Sequence, residues 1–332
     1  MNNIRDFDYD RQIQPRPNQR KARKRRRNVF LLLGFLAAFI VGWMVAPKVL
    51  NKLQDDSNPL KSVITHTKGS IPSAAPGKGN DTLAGSADSD GTGLQGLVQQ
   101  YSEVQTIIDQ KNQYPAELLE LLIRNPETLH FVLDYPANGS QNVNSADISS
   151  DLQQGKIPVF QQWDERWGYS KYGDGMIALT GCGPTSLSMV ASGLTGNISY
   201  DPLSIAKFAD ENGYYVVGSG SSWDLMTGGA SKLGLTATEL PLDENRMVRE
   251  LNAKHPIICS MHPGDFTTSG HFIVLVGVAS NGEFIIHDPN SIARSNETWS
   301  YSRLSPQIAN LWSYSYDKAL GKRATNLEKN KK

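Results

Sequence analysis

The residues best suited to chemistry lie in Thr180-Gly-Cys-Gly-Pro-Thr-Ser-Leu-Ser-Met-Val190, where Cys182 stands between two glycines at the start of an apolar run. Pro184 suits the first turn of a helix, so the spacing predicts a helix from Cys182 to Gly193 with the cysteine at its N-terminus. Unpaired N–H groups and a partial positive charge at such an end favour thiolate over thiol, which makes a better nucleophile. The flanking glycines would let a substrate backbone approach the sulfur. A buried structural cysteine opening a helix is the other reading of the same residues.

A nucleophilic thiol needs a group that takes and returns a proton, and six histidines are available. His271 is the best placed, because it follows Gly270 at the head of the apolar strand His271-Phe-Ile-Val-Leu-Val276. His66 falls in a polar tether and His130 in a helical region, which leaves His255, His262 and His287 as rivals. Asp288 ends the following strand, Glu283-Phe-Ile-Ile-His-Asp288, and Asn281-Gly282 between the two strands is a strong hairpin signal. A two-residue turn at Ser280-Asn281 or Asn281-Gly282 puts Asp288 on the same sheet face as His271 and His287 on the other. The ideal register leaves His271 and Asp288 a few residues apart along the strands, so twist or a bulge must close the gap, and a three-residue loop would reverse the faces.

These residues need a scaffold. A segment Ile157 to Phe160, a Gly/Tyr loop and the Cys182 helix come first, with short helices near Leu203 to Glu211 and Ser222 to Lys232. Strand-like runs follow at Pro256 to Met261, His271 to Val276 and Glu283 to Asp288, so the order is helices and then an antiparallel sheet, an α+β fold, over residues 156–318. The second cysteine, Cys259, lies in the first of these strands, where a small buried residue is the ordinary expectation; a Cys182–Cys259 disulfide would abolish the nucleophile. Trp163, Trp167, Tyr169 and Tyr172 could line a substrate rim or pack in the core, and Asp164, Asp174 and Asp265 sit in turn-like loops suited to local capping.

Upstream, Leu94, Leu97, Val98, Tyr101, Val104, Ile107 and Ile108 form one helical stripe. Further short helices read from Pro115 to Ile123 and from Pro126 to Asp134, giving a helical subdomain over 94–136. The polar stretch 137–155 reads as a linker, and residues 51–93, with no aromatic residue after Gln54, as a disordered tether that cannot bury enough apolar surface to offset its ordering. Residues 319–332 form a basic disordered tail.

The first 28 residues carry ten Lys/Arg against three Asp, and the remainder carries 23 bases against 30 acids within a balanced total of 33 and 33. That distribution argues against nucleic acid as a partner. Val29 to Ala46 then runs eighteen residues without a charge, about 27 Å of helix. The basic flank fixes residues 1–28 in the cytoplasm, so 29–50 is expected to be a single-pass signal anchor with the rest outside the cell. The run is long for a signal-peptide core and no A-x-A site closes it. Two cysteines, no H-E-x-x-H and no histidines at ligand spacing leave no expected metal, and Gly91-Thr-Gly93-Leu-Gln-Gly96 has no preceding strand to make it a cofactor loop. No cofactor is expected.

Ile157-Pro-Val-Phe-Gln-Gln-Trp-Asp-Glu-Arg-Trp-Gly168, Gly181-Cys-Gly-Pro-Thr-Ser-Leu187, Gly270-His-Phe-Ile-Val and His287-Asp-Pro289 together resemble the C39-like cysteine peptidases, of papain-like fold. The resemblance implies a Cys-His-Asp triad at Cys182, His271 and Asp288, with an upstream glutamine in the oxyanion hole; Gln162 fits that place better than Gln161. Bacteriocin-processing members are joined to exporters, whereas this chain has one apolar span, so a double-glycine leader is not the implied substrate. The expected function is a membrane-anchored extracellular peptidase or amidase acting on peptides or proteins, cell-wall peptides among them. Acyl transfer by the same triad, as in transglutaminase-like relatives, and a non-catalytic peptide-binding surface module are the alternatives.

Overall fold

The computed structural model describes residues 92–140 and 143–317. The basic arm, the apolar run 29–50, nearly all of the tether and the basic tail lie outside the described residues, and among those described no helix is long and apolar enough to cross a membrane.

A six-stranded antiparallel sheet forms the centre. Its strands are β1 (Thr236–Glu239), β2 (Ile257–Met261), β3 (His271–Val278), β4 (Phe284–His287), β5 (Thr298–Trp299) and β6 (Ile308–Ser315), in spatial order β1-β6-β2-β3-β4-β5. Side chains alternate along β2 and β3. Ile258, Phe272 and Val274 pack with helices α5 (Cys182–Thr195) and α6 (Pro202–Glu211), while Cys259, Ile273 and Leu275 pack with Met247 and Leu251 of α7 (Glu244–Asn252). Both faces are covered, which is why β2 and β3 read as continuous apolar runs rather than as alternating ones.

Three of these strands carried no clear signal in the sequence. β6 is the most consequential, since it lies inside the sheet between β1 and β2. A bulge between Ile308 and Asn310 interrupts its alternation, so Ile308 and Leu311 face one core while Trp312 and Tyr314 face the other.

The upstream helices are α1 (Thr92–Val98), α2 (Val104–Asp109), α3 (Ala116–Arg124) and α4 (Leu129–Leu133). The expected single stripe is broken: α1 stops at Val98, the chain turns, and Tyr101 is 36% exposed. Leu94, Ile107, Leu118, Leu122 and Phe131 share one core with Tyr169 and Ala178 of the main domain. Phe131 stacks on Tyr169 at 4.1 Å between centroids, and the Tyr169 hydroxyl donates to the Phe131 carbonyl at 2.8 Å. Part of the expected linker is also packed. Ala146 and Ile148 are buried in the main core, and Asp151 pairs with Arg166 at 2.7 Å. Polar composition concealed this, because the apolar side chains that pack on the core, Val143, Ala146, Ile148 and Leu152, are scattered through a polar stretch.

Candidate active site

α5 begins at Cys182, with Gly181 as its N-cap, and ends at Gly196, whose left-handed backbone (φ 71°) closes it. Residues 183–192 are buried all round, so the helix is a core element and its hydroxyls bond to backbone: Ser192 to the Ser188 carbonyl at 2.7 Å and Ser186 to the Phe272 carbonyl at 3.4 Å. The second bond ties the first turns of the Cys182 helix to the residue after His271. Cys182 itself is half-buried.

Close packing leaves no room for a side chain at either glycine beside it. A Cβ at Gly181 would lie 2.5 Å from the Ile177 carbonyl oxygen, and one at Gly183 would lie 2.6 Å from Ser221 Cβ. Ser221 in turn shares a 2.8 Å hydrogen bond with the buried Tyr172 hydroxyl.

His271 is 7% exposed, and its Nε2 lies 2.7 Å from Asp288 Oδ1. Burial alone would lower the imidazole pKa. The Asp288 charge and hydrogen bond, with a further contribution from the neighbouring Cys182, outweigh it and push the value up to about 10. Asp288 is fully buried; burial opposes its ionisation, but His271 and Arg294 together hold its carboxyl below the usual carboxylate range. Arg294 Nε donates to Oδ2 at 2.6 Å and the Asn290 N–H to Oδ1 at 2.8 Å.

The hairpin that joins the pair departs from the expected turn. Val278 pairs with Phe284, the Ala279 N–H donates to the Glu283 carbonyl, and the loop is the three residues Ser280-Asn281-Gly282, with Gly282 left-handed at φ 87°. Continued without interruption, that register would place Asp288 opposite Val274, on the wrong face. Between Leu275↔Ile286 and Gly277↔Ile285, Val276 is an extra residue, and this bulge restores the register in which His287 pairs with Val274. Asp288 is thereby returned to the face of His271 and Ile273.

Gln162 is 4% exposed and spans the two halves of the site: its Nε2 donates to the Ala178 carbonyl at 2.7 Å, and its backbone N–H to the Pro289 carbonyl at 2.6 Å. Gln161 offers its carbonyl to the Trp167 indole. Two of the three rival histidines are otherwise engaged. His287 Nδ1 donates to the Pro158 carbonyl at 3.0 Å, and burial pulls its pKa down to about 4, partly countered by that carbonyl. His255 pairs with Glu250 at 2.8 Å.

Cys259 is buried on the α7 side of the sheet, whereas Cys182 packs with the opposite core, and both thiols are free. Burial raises the Cys259 thiol. Trp167 and Tyr172 are buried in the core rather than at a rim, and the half-buried Trp163 donates its indole N–H to the Asn290 carbonyl. Asp164 accepts from the Arg166 amide at 3.0 Å and Asp265 pairs with Arg303 at 2.8 Å.

Sequence reasoning missed Arg294, the second partner of Asp288. Ser291 capping a short helix could have been read from Ser291-Ile-Ala-Arg294, but the partner of the arginine is fixed only by how the chain folds back after Asp288.

The family model for the Peptidase_C39 like family matches residues 154–320, half of the chain, and the chain belongs to that family. Among solved structures, the peptidase domain of Streptococcus ComA, a bi-functional ABC transporter involved in a quorum sensing pathway, is 21% identical, with 42% of this chain and 93% of that one covered at a TM-score of 0.32. A putative C39-like peptidase from Bacillus anthracis is 16% identical, covering 52% and 98% at a TM-score of 0.31. No curated protein matches the chain.

Proposed function

We propose that the chain is a cysteine peptidase or amidase that hydrolyses peptide bonds through a thioester acyl-enzyme, carried outside the cell on its N-terminal apolar run. The observation that carries this reading is the buried Asp288–His271 pair with the half-buried Cys182 beside the imidazole. The imidazole spends Nε2 on the carboxylate, which leaves Nδ1 for the thiol, and a pKa near 10 keeps the ring protonated at neutral pH.

The proposed reacting form is the Cys182 thiolate beside that imidazolium. Its sulfur adds to the scissile carbonyl carbon, and the oxyanion that forms is met by the Cys182 N–H and by the Nε2 hydrogen of Gln162 not held by Ala178. Collapse breaks the C–N bond as His271 gives its proton to the leaving amine. Water then loses a proton to His271, its oxygen adds to the thioester carbon, and the second collapse expels the Cys182 thiolate beside the reprotonated ring.

Ser221 of the short hairpin Tyr215–Val216 and Gly220–Ser221 sits against Gly183, and Val216, Val217 and Trp223 on and after that hairpin are exposed apolar side chains. They suit a substrate with apolar residues beside the scissile bond. Residues 51–93 would let the domain search close to the membrane, where cell-wall peptides are the accessible class.

The test is iodoacetamide labelling of the purified chain at pH 6 and pH 8, with the modified site located by peptide mass. Cys182 should label rapidly at pH 6 and Cys259 should not, and His271→Ala should slow the Cys182 reaction by roughly 10²- to 10⁴-fold. Equal slow labelling of Cys182 in both proteins would sink the proposal.

A further inference from the structure

The loop that follows Asp288 is held from outside the family match. Helix α8 (Ile292–Ser295) carries Arg294, and its first amides point at Glu127, between α3 and α4. Glu127 accepts from Ser291 Oγ at 2.6 Å, from the Ile292 N–H at 2.7 Å and from the Ala293 N–H at 3.3 Å. Asn125 donates its side-chain amide to the Asn290 carbonyl and accepts the Glu127 N–H at 3.2 Å, and the Thr128 hydroxyl donates to the Asn125 carbonyl at 2.8 Å. The corner Asn125 to Thr128 is thus a built clamp, with Asn125 and Thr128 buried.

The clamped segment reaches the carboxylate by two routes. Ser291 Oγ accepts the Arg294 N–H at 3.1 Å, and Arg294 Nε holds Asp288 Oδ2 at 2.6 Å. Ser295 Oγ donates to the Ser291 carbonyl at 2.7 Å and accepts the Asp288 N–H at 2.8 Å. A four-residue helix has too few internal bonds to hold itself, so three charge-assisted bonds to one external carboxylate are a large part of what fixes it.

We propose that Glu127 is a positioning residue for the Asp288–His271 pair, acting through Ser291 and the start of α8, and that the upstream helical segment is therefore part of the catalytic unit. The proposal rests on the catalytic reading of that pair. The groups facing His271 are Asp288 and Cys182, and Asp288 is faced in addition by Arg294. Glu127 touches none of the reacting atoms.

Two readouts on the full chain in detergent separate this role from simple docking of the helices. The first is the NMR titration and low-field ring-proton signal of His271, which report its pairing with Asp288 whether or not the chain is an enzyme. The second is the iodoacetamide rate at Cys182. Glu127→Ala should lower the His271 titration midpoint, broaden or lose the ring-proton signal and slow labelling by up to roughly 100-fold, with Glu127→Gln intermediate. Tyr169→Phe removes a docking bond of the same helical segment without touching the 290–295 loop, and should lower Tm while leaving both readouts as in the parent. If Glu127→Ala lowers Tm but leaves the His271 signal and midpoint unchanged, the positioning role is overturned. If the parent His271 signal responds to Glu127→Ala while Cys182 labels no faster than Cys259, the positioning role stands and the peptidase reading fails.

Discussion

Nε2 of His271 lies 2.7 Å from Oδ1 of Asp288, a pairing that the three-residue loop joining their strands would by itself prevent. The extra residue at Val276 shifts the register by one and sends the carboxylate back to the histidine's face. Loop and bulge therefore function as a unit: with a side-chain period of two, either one alone would deliver His287 to the site in place of Asp288.

Arg294 should set the acid limit of the pair. Asp288 is held ionised against burial by His271 and Arg294, so its contribution to stability is present above the unfolded carboxylate value and is lost as pH falls through the lower folded value. Arg294→Gln raises that folded value, and both acid unfolding and loss of Cys182 labelling should then set in at higher pH than in the parent. Urea midpoints and labelling rates between pH 3 and 7 would check it; coincident curves would count against the role of the arginine.

The two histidines on neighbouring strands should titrate with opposite signs. His271 is raised to about 10, so its contribution is complete below pH ~6.5 and fades as pH rises toward 10. His287 is lowered to about 4, so its neutral form contributes above pH ~6.5 and that contribution is lost as pH falls toward 4. In urea unfolding across pH 4 to 10, His271→Gln should flatten the alkaline side of the stability curve and His287→Gln the acid side. An exchange of these two effects would contradict the assignment.

Gly183→Ala should destabilise by about 1–3 kcal/mol through overpacking, because its new methyl meets Ser221. Ser221→Gly should restore much of the loss in the double variant, even though it also removes the bond to Tyr172. Gly181→Ala meets the Ile177 carbonyl instead and has no such rescue. Thermal unfolding of the four proteins is sufficient, and additive losses at Gly183 and Ser221 would refute the contact.

Trp223, 48% exposed, donates its indole N–H to Ser260 Oγ at 3.1 Å and packs edge-on to Trp312. If it lines the substrate channel, Trp223→Ala raises KM by roughly tenfold for a peptide with an apolar residue at the scissile bond, with kcat nearly unchanged. Equal effects on apolar and charged peptides would assign it a structural role.

Local sequence determined the pieces that depend on near neighbours. A cysteine followed by Gly-Pro at the head of a small-residue run starts a helix because of backbone preference, and His271 heads a strand because the following residues are β-branched and apolar. Asn125-Pro126 stops α3 for the same kind of reason. Tertiary structure decided what depends on long-range packing: the bulge at Val276, which corrects the face of Asp288; the insertion of β6 into the middle of the sheet; and the return of Arg294 onto the carboxylate six residues before it. The reach of Glu127 to Ser291 across 164 positions belongs to that second group. An exposed-looking Glu after Asn-Pro and a serine near the end of a sheet have no local property in common, and only the tertiary fold, in which the upstream helices pack on Tyr169 and Ala178, brings their polar atoms to bonding distance.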